Sequence, residues 1–450
     1  MKISLTNWQK KSSLLLFIVG MFSSTQINLG GCIGISEIVI FAIAPFIFIS
    51  NVERLRADGF MPFFLLIFLN MLGCVVASLV NGVRGFAIIK GLMTLYSMFS
   101  ITVIFHALLR HNFYGIRWFL VGTVVSGIIK TFAFNPRVIT SSTGQVSIGE
   151  AELEEKMEHP LFWMSRLMTV IQAVVCGWYF KVSIYIGYIL CFIYAMVLTS
   201  VTVSGRAAIA ISVMGVVMVS IAGKTNESFL RLKKYMLLFV IGMSIALVGI
   251  KVGYGYLAES GILGEKALQK YERQTRDGRG ILDFLRSGRS EFFIGLSAIV
   301  DKPIMGFGAI PVDDKDYVLN YVSKHGTIED YENLIRFKAY TVMDGTRIIP
   351  SHSHIVGFWL YNGIFGLLLW LYVLKLIYEY YRKTLTALPQ VLPFVCFMTP
   401  TMVWDIFFSP YTNRFIFPLF ITCILFCRAA YKGAYVSDSV DMGLIDEERR

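Results

Sequence analysis

The sequence predicts an all-α protein, a polytopic bundle of about twelve transmembrane helices with one large outer loop that carries short amphipathic helices. Three observations predict it. Of 450 residues, 56% are hydrophobic and only 16% are charged, where a soluble domain carries roughly 25% charged residues. Apolar runs near the length that crosses ~30 Å of hydrocarbon recur from end to end, and the mean hydropathy is +0.64. Lys and Arg gather in every second short connection, all on one side of the expected spans as orientation signals do, so the formal charge of +11 is no nucleic-acid footprint.

Spans are expected near 14–31, 33–50, 59–80, 86–108, 118–134, 161–180, 183–203, 207–222, 235–254, 353–378, 391–409 and 415–431. Residues 1–254 then form an N-terminal bundle of about nine spans, and 255–351 form the large loop. Residues 352–432 make a C-terminal bundle of about three spans, followed by the cytoplasmic tail 433–450. The first span is the weakest, because Ser23, Ser24, Thr25, Gln26 and Asn28 interrupt it. Polar breaks of this kind suit helices buried in protein. Lys2, Lys10 and Lys11 precede that run without a clean small-x-small cleavage site, so it reads as a span and not a signal peptide.

Orientation follows from the basic residues. The N-terminus, Arg54 and Arg56, Arg110 and Arg117, Lys181, Lys224 to Lys234, Arg382 and Lys383, and Arg428 and Lys432 all fall on one side, the cytoplasmic one. The other side receives an acidic stretch from Glu150 to Glu158 and the long loop. Within that loop, 281–300 reads as an amphipathic helix, followed by turn residues Pro303, Gly306 and Gly308. All seven cysteines lie in apolar segments, which suggests neither a disulfide framework nor a cysteine metal site.

Five cations lie where the orientation rule disfavours them. Lys90, Lys130, Arg166, Arg206 and Lys251 each sit within about two turns of a span's outer end. One such residue can snorkel to the interface. Five at one level point to an electropositive cavity open to the outer leaflet and suited to an anionic headgroup. Glu37 and Asp405 are acidic residues near the same level; pairing with a cation is their ordinary reading, a catalytic carboxylate the alternative.

The histidines supply the chemistry. His352 and His354 follow Pro350 where the loop re-enters the membrane, and His352-Ser353 is followed by nine residues and Gly363-Ile364-Phe365-Gly366. A continuous helix would bring Gly363 to nearly the same face as His352, about 16 Å deeper. The two glycines would then let another helix pack close, with Ser351 or Ser353 capping the helix start.

This arrangement resembles the bacterial O-antigen ligase and polymerase superfamily, whose members carry His-(Asn/Ser/Gln), nine residues and Gly-x-x-Gly after a large periplasmic loop. A second matching element is Ser287-Gly288-Arg289 followed by Lys302-Pro303-Ile304-Met305-Gly306-Phe307-Gly308, similar to the family's Gly-Arg, amphipathic helix, Pro-x-x-Gly-x-Gly pattern. A third is Thr202-Val203-Ser204-Gly205-Arg206, similar to the family's Ser-Arg element with Gly205 inserted. The resemblance covers roughly residues 180–410.

The resemblance implies an inverting, metal-independent glycosyl transfer from an undecaprenyl-diphosphate-linked oligosaccharide at the periplasmic face of a bacterial inner membrane. It needs no cofactor. His352 would deprotonate the acceptor hydroxyl, and Arg206 and Arg289 would hold the departing diphosphate. Arg286 and Arg166 are further candidate phosphate contacts, and His354, Lys90, Lys130 and Asp405 are secondary candidates. The lipid bilayer is the setting, and a chain-length regulator and a flippase are candidate partners.

Asp313-Asp314-Lys315-Asp316 reads as a solvated loop before a metal site. A polymerase is the preferred activity and a ligase acting on lipid A-core the alternative, because both acceptors would meet the same histidine. A lipid-linked glycan transporter is the remaining reading; it would have no use for a large one-sided loop or a histidine fixed at a helix start.

Overall fold

The computed structural model describes residues 7–23, 26–28, 32–83, 85–110, 112–133, 214–219, 290–325, 346–409 and 414–433, with isolated positions such as Tyr411 besides. The expected spans near 161–180, 183–203 and 235–254, and most of that near 207–222, lie outside them.

The described chain is mostly helical. From the N-terminal side come α1 (Asn7–Phe22), the strands β1 (Gln26–Asn28) and β2 (Cys32–Gly34), α2 (Ile35–Ser50), α3 (Val52–Ala57), α4 (Met61–Val80), α5 (Gly85–Leu109) and α6 (Gly115–Ala133). From the loop and C-terminal side come α7 (Ser290–Ile299), α8 (Tyr317–His325), α9 (His354–Asn362), α10 (Ile364–Glu379), α11 (Leu392–Phe408) and α12 (Ile416–Tyr431). Among the described residues, three helices are long and apolar enough to cross a membrane: Met61–Val80, Gly85–Leu109 and Ile364–Thr384, the last combining α10 with a π-helical turn.

Helix α4 shows how sequence makes such a helix. Pro62 starts it without losing a hydrogen bond, since its missing N–H would have had no partner in the first turn. Leu65, Phe68, Leu72, Val76 and Leu79 form one outward apolar face, while Phe63, Phe64, Ile67, Asn70 and Cys74 turn inward. Asn81 ends it, its side chain donating to the Ala77 carbonyl at 2.7 Å. An apolar exterior of this kind suits a lipid solvent.

Two expectations need correction. The helix at the first expected span starts earlier and stops at Phe22, and the chain after it forms an antiparallel hairpin with Ile27 opposite Ile33. The span expected at 353–378 is not one helix. Gly363, at φ +62, ψ −146, separates α9 from α10. Only glycine adopts that conformation cheaply.

The N- and C-terminal halves share one core. Asn70 on α4 donates to the Phe365 carbonyl at 2.8 Å, and Asn362 donates to the Asn70 side-chain oxygen at 3.1 Å. In an apolar interior such amide pairs lock helix register, because each lost partner leaves a buried polar group unsatisfied. α1 and α6 approach backbone to backbone at Gly20 and Gly122, where any side chain would overlap the Phe119 and Phe17 carbonyl oxygens. Between α3 and the end of α5, buried Asp58 bonds His106 Nε2 at 2.7 Å and pairs with Arg110 at 3.2 Å.

Candidate functional site

The site is built where the segment after α7 docks against α4 and the α9–α10 break. The Phe307 amide donates to the Leu360 carbonyl at 2.7 Å and the Gly308 amide to Tyr361 at 3.0 Å. In return, the Ile364 amide donates to Ile304 at 2.9 Å, and Trp359 Nε1 donates to Pro303 at 2.7 Å. These bonds satisfy groups that the ends of α9 and α10 would otherwise leave bare. On the α4 side, Asn81 donates to the Gly306 carbonyl at 3.2 Å, and Lys302 donates to the Asn81 oxygen at 2.7 Å. The Ala309 amide donates to Ser78 Oγ at 2.9 Å. Gly306 and Gly308, at φ +77 and +86, make this path possible.

The glycines of the histidine motif therefore act differently from the expectation. Gly363 does not seat a passing helix; a side chain there would overlap the Ile304 carbonyl oxygen of the docked segment. Gly366 lies against the backbone of Phe358, so α9 folds back along α10. His352 accordingly does not share a helix face with Gly363, since it precedes α9 and the helix breaks before Gly363 can extend it.

Ser353 is the residue that caps α9. Its Oγ accepts from the Val356 amide at 3.2 Å and donates to the Ile406 carbonyl of α11 at 2.9 Å. His352 is thus tethered one residue ahead of a capped helix start. Gly295 of α7 packs on the same place, where a Cβ would come 2.7 Å from Val356 Cγ1. One turn earlier, Glu291 stands with Oε1 3.7 Å from His352 Nδ1. The histidine side chain is 25% exposed, yet its Nδ1 is buried and has no hydrogen-bond partner among the described residues.

His354 has a different environment. It is buried against Trp370 (ring centroids 4.7 Å apart) and Tyr411 (5.2 Å), inside an aromatic cluster with Phe358 and Phe417. Asp405 is buried on α11, beside the Ile406 carbonyl that anchors Ser353. Lys90 lies on an exposed face of α5 with Phe86 and Ile89. Lys130 belongs to α6, and its side chain lies outside the described residues, as do Arg166, Arg206, Arg286 and Arg289.

Two residues went unnoticed in the sequence. Glu291, two positions after Arg289, reads as an ordinary acidic residue in a helix's first turn. Arg414 reaches Glu37 Oε2 at 3.3 Å, while Ser97 and the Gly34 amide donate to the same carboxylate at 2.9 and 2.7 Å. That pairing gives Glu37 its ordinary reading. The signal for Arg414 was a cation in the short connection before the last apolar run, which the expected topology places on the outer side, against the orientation rule.

The aspartate string is taken up locally. Asp313 accepts from the Tyr317 and Val318 amides at 2.6 and 3.1 Å and so starts α8; burial pushes its carboxyl up from the ordinary value. Asp316 pairs with Arg347 at 2.8 Å. Lys315 at 2.8 Å, with the Tyr317 hydroxyl, holds the Asp301 carboxyl below the ordinary carboxylate range.

No protein-family model matches the chain, and no curated protein is similar to it at a significant level.

Proposed function

We propose that this chain is a surface-polysaccharide polymerase of the O-antigen type. It joins undecaprenyl-diphosphate-linked repeat units at the periplasmic face of a bacterial inner membrane, as an inverting, metal-independent glycosyltransferase. About twelve spans carry it, with both termini cytoplasmic and the 255–351 loop periplasmic. The observation that carries the reading is the position of His352. It precedes a helix capped by Ser353, at the place where the Pro-x-x-Gly-x-Gly segment and the Gly363 break meet. Two of the family-like sequence elements, the histidine motif and the Pro-x-x-Gly-x-Gly segment, thereby acquire a common purpose, which is to hold one partly exposed imidazole still.

In this reading a neutral His352 takes the proton of the acceptor hydroxyl as that oxygen attacks the anomeric carbon. Arg206 and Arg289, with Arg286 and Arg166, stabilise charge on the departing diphosphate through planar, paired donors that never deprotonate. Lys90 and Lys130 add to the positive potential of the entry face. Arg289→Lys should reduce transfer at least tenfold, since an ammonium lacks the bidentate fork; an unaffected rate in a transfer assay would remove Arg289 from the site.

Deleting the gene and running the lipopolysaccharide on a gel tests the function. Core bearing a single repeat is expected for a lost polymerase. Bare core with long glycan retained on the carrier lipid would instead identify a ligase, and an unchanged ladder would end both readings for O-antigen.

A further inference from the structure

We infer that Glu291 is the positioning residue for His352, forming a carboxylate–imidazole pair that directs Nε2 at the acceptor hydroxyl. The inference rests on the proposed glycosyl transfer and extends it to a residue that the sequence pattern leaves unassigned.

The geometry comes from three independent features. Glu291 Oε1 lies 3.7 Å from His352 Nδ1, and both side chains are largely enclosed, at 20% and 25% exposure. The Nδ1 atom itself is buried and lacks a hydrogen-bond partner among the described residues, so the exposed part of the side chain lies elsewhere than at Nδ1. The spacing is also built in. Glu291 lies one turn before Gly295, whose bare Cα lets α7 come against the Val356 side chain and the Pro350 carbonyl. A helix that touches its partner at Gly295 presents Glu291 to the residue just before the Ser353 cap, which is His352.

A neutral imidazole carries its proton on one nitrogen, and the partner of that nitrogen decides which. A carboxylate facing Nδ1 keeps the proton there and leaves Nε2 as the lone-pair base. The separation is longer than a hydrogen bond, and closure of roughly 0.5–0.8 Å in the substrate complex would make it one.

The transfer then balances. The acceptor oxygen gives its proton to Nε2 and forms a bond to the anomeric carbon. The anomeric C–O bond to the diphosphate breaks, and its electron pair leaves with the diphosphate. The imidazolium left behind is stabilised by Glu291 until the proton passes to water. Glu291 touches no reacting atom; it works through His352.

The test uses the full chain in lipid nanodiscs with an undecaprenyl-diphosphate-linked repeat unit as substrate. Glu291→Met removes the acceptor at similar volume. Its expected effect is a fall in kcat of roughly 10- to 100-fold with KM within about twofold, partly recovered in Glu291→Asp. A kcat within about twofold of the parent, while His352→Ala is inactive, would overturn the inference and leave the glycosyltransferase reading standing. A second readout is independent of turnover. In ¹⁵N-histidine-labelled protein, with His352 assigned by difference against His352→Gln, neutral His352 is expected as the Nδ1–H tautomer and Glu291→Met is expected to lose that preference. If the parent chain transfers no glycan, the functional reading fails. The tautomer then decides the pair alone, and an unchanged tautomer in Glu291→Met overturns it.

Discussion

Gly363 lies directly against Ile304, so that any side chain at position 363 would occupy the space of the Ile304 carbonyl oxygen, the same oxygen that accepts from the Ile364 amide at 2.9 Å. This contact joins the break between two helices to the segment that docks over it. Gly363→Ala should therefore destabilise the protein by about 3 kcal/mol or more, combining backbone strain with overlap. Gly82, at φ +69 with open space around it, is the control, and Gly82→Ala should cost about 1 kcal/mol. Thermal unfolding in detergent, followed by intrinsic fluorescence, compares the two. Equal losses would mean that the Ile304 contact carries no energy.

Ser353 makes two bonds with one hydroxyl, to the Val356 amide and to the Ile406 carbonyl. Ser353→Ala removes the cap and strands a buried carbonyl, at about 1–2 kcal/mol. Transfer should fall further than stability does, because His352 loses the neighbour that anchors it. Measuring turnover at a temperature where the variant is fully folded separates the two effects. An unchanged turnover would show that the cap serves only the helix.

The loop between α7 and α8 should respond to acid in a definite direction. Asp301 is held below the ordinary carboxylate range by Lys315 and Tyr317. Its folded value is depressed, so its contribution is complete above the unfolded value of about 3.9 and is lost as pH falls through the folded one. Asp313 has the opposite sign. Burial raises its folded value, so its protonation on the way down from neutral pH favours the folded loop. Hydrogen exchange over residues 301–318 should show protection failing only well below the ordinary carboxylate range. Asp301→Asn should remove that acid-side step, and its persistence in the variant would place the cause elsewhere.

Much of the helical frame was legible from hydropathy alone. The expected boundaries of α2, α4, α5, α6, α11 and α12 lie within about three residues of those observed, because long apolar runs bounded by polar or basic residues leave little choice. The failures have physical causes. At Ser23–Asn28 a hydropathy window averages polar residues into the neighbouring runs, whereas the chain uses them to leave the helix. At Gly363 the apolar pattern continues unbroken through a residue with positive φ, and hydropathy carries no information about backbone angle.

The candidate site divides the same way. His352, Ser353 and the glycines of residues 303–308 formed a motif with readable spacing. Glu291 and the Glu37–Arg414 pair did not. Each depends on two segments far apart in sequence meeting in space, and a lone carboxylate or arginine announces no partner.

The most direct measurement is glycan transfer by His352→Ala in purified, nanodisc-reconstituted protein, with undecaprenyl-diphosphate-linked repeat units as donor and acceptor. Loss of transfer by roughly 100-fold or more, with unchanged membrane insertion and thermal stability, is expected for removal of the general base. Transfer at the parent rate would contradict the proposed role of this histidine and the site built around it.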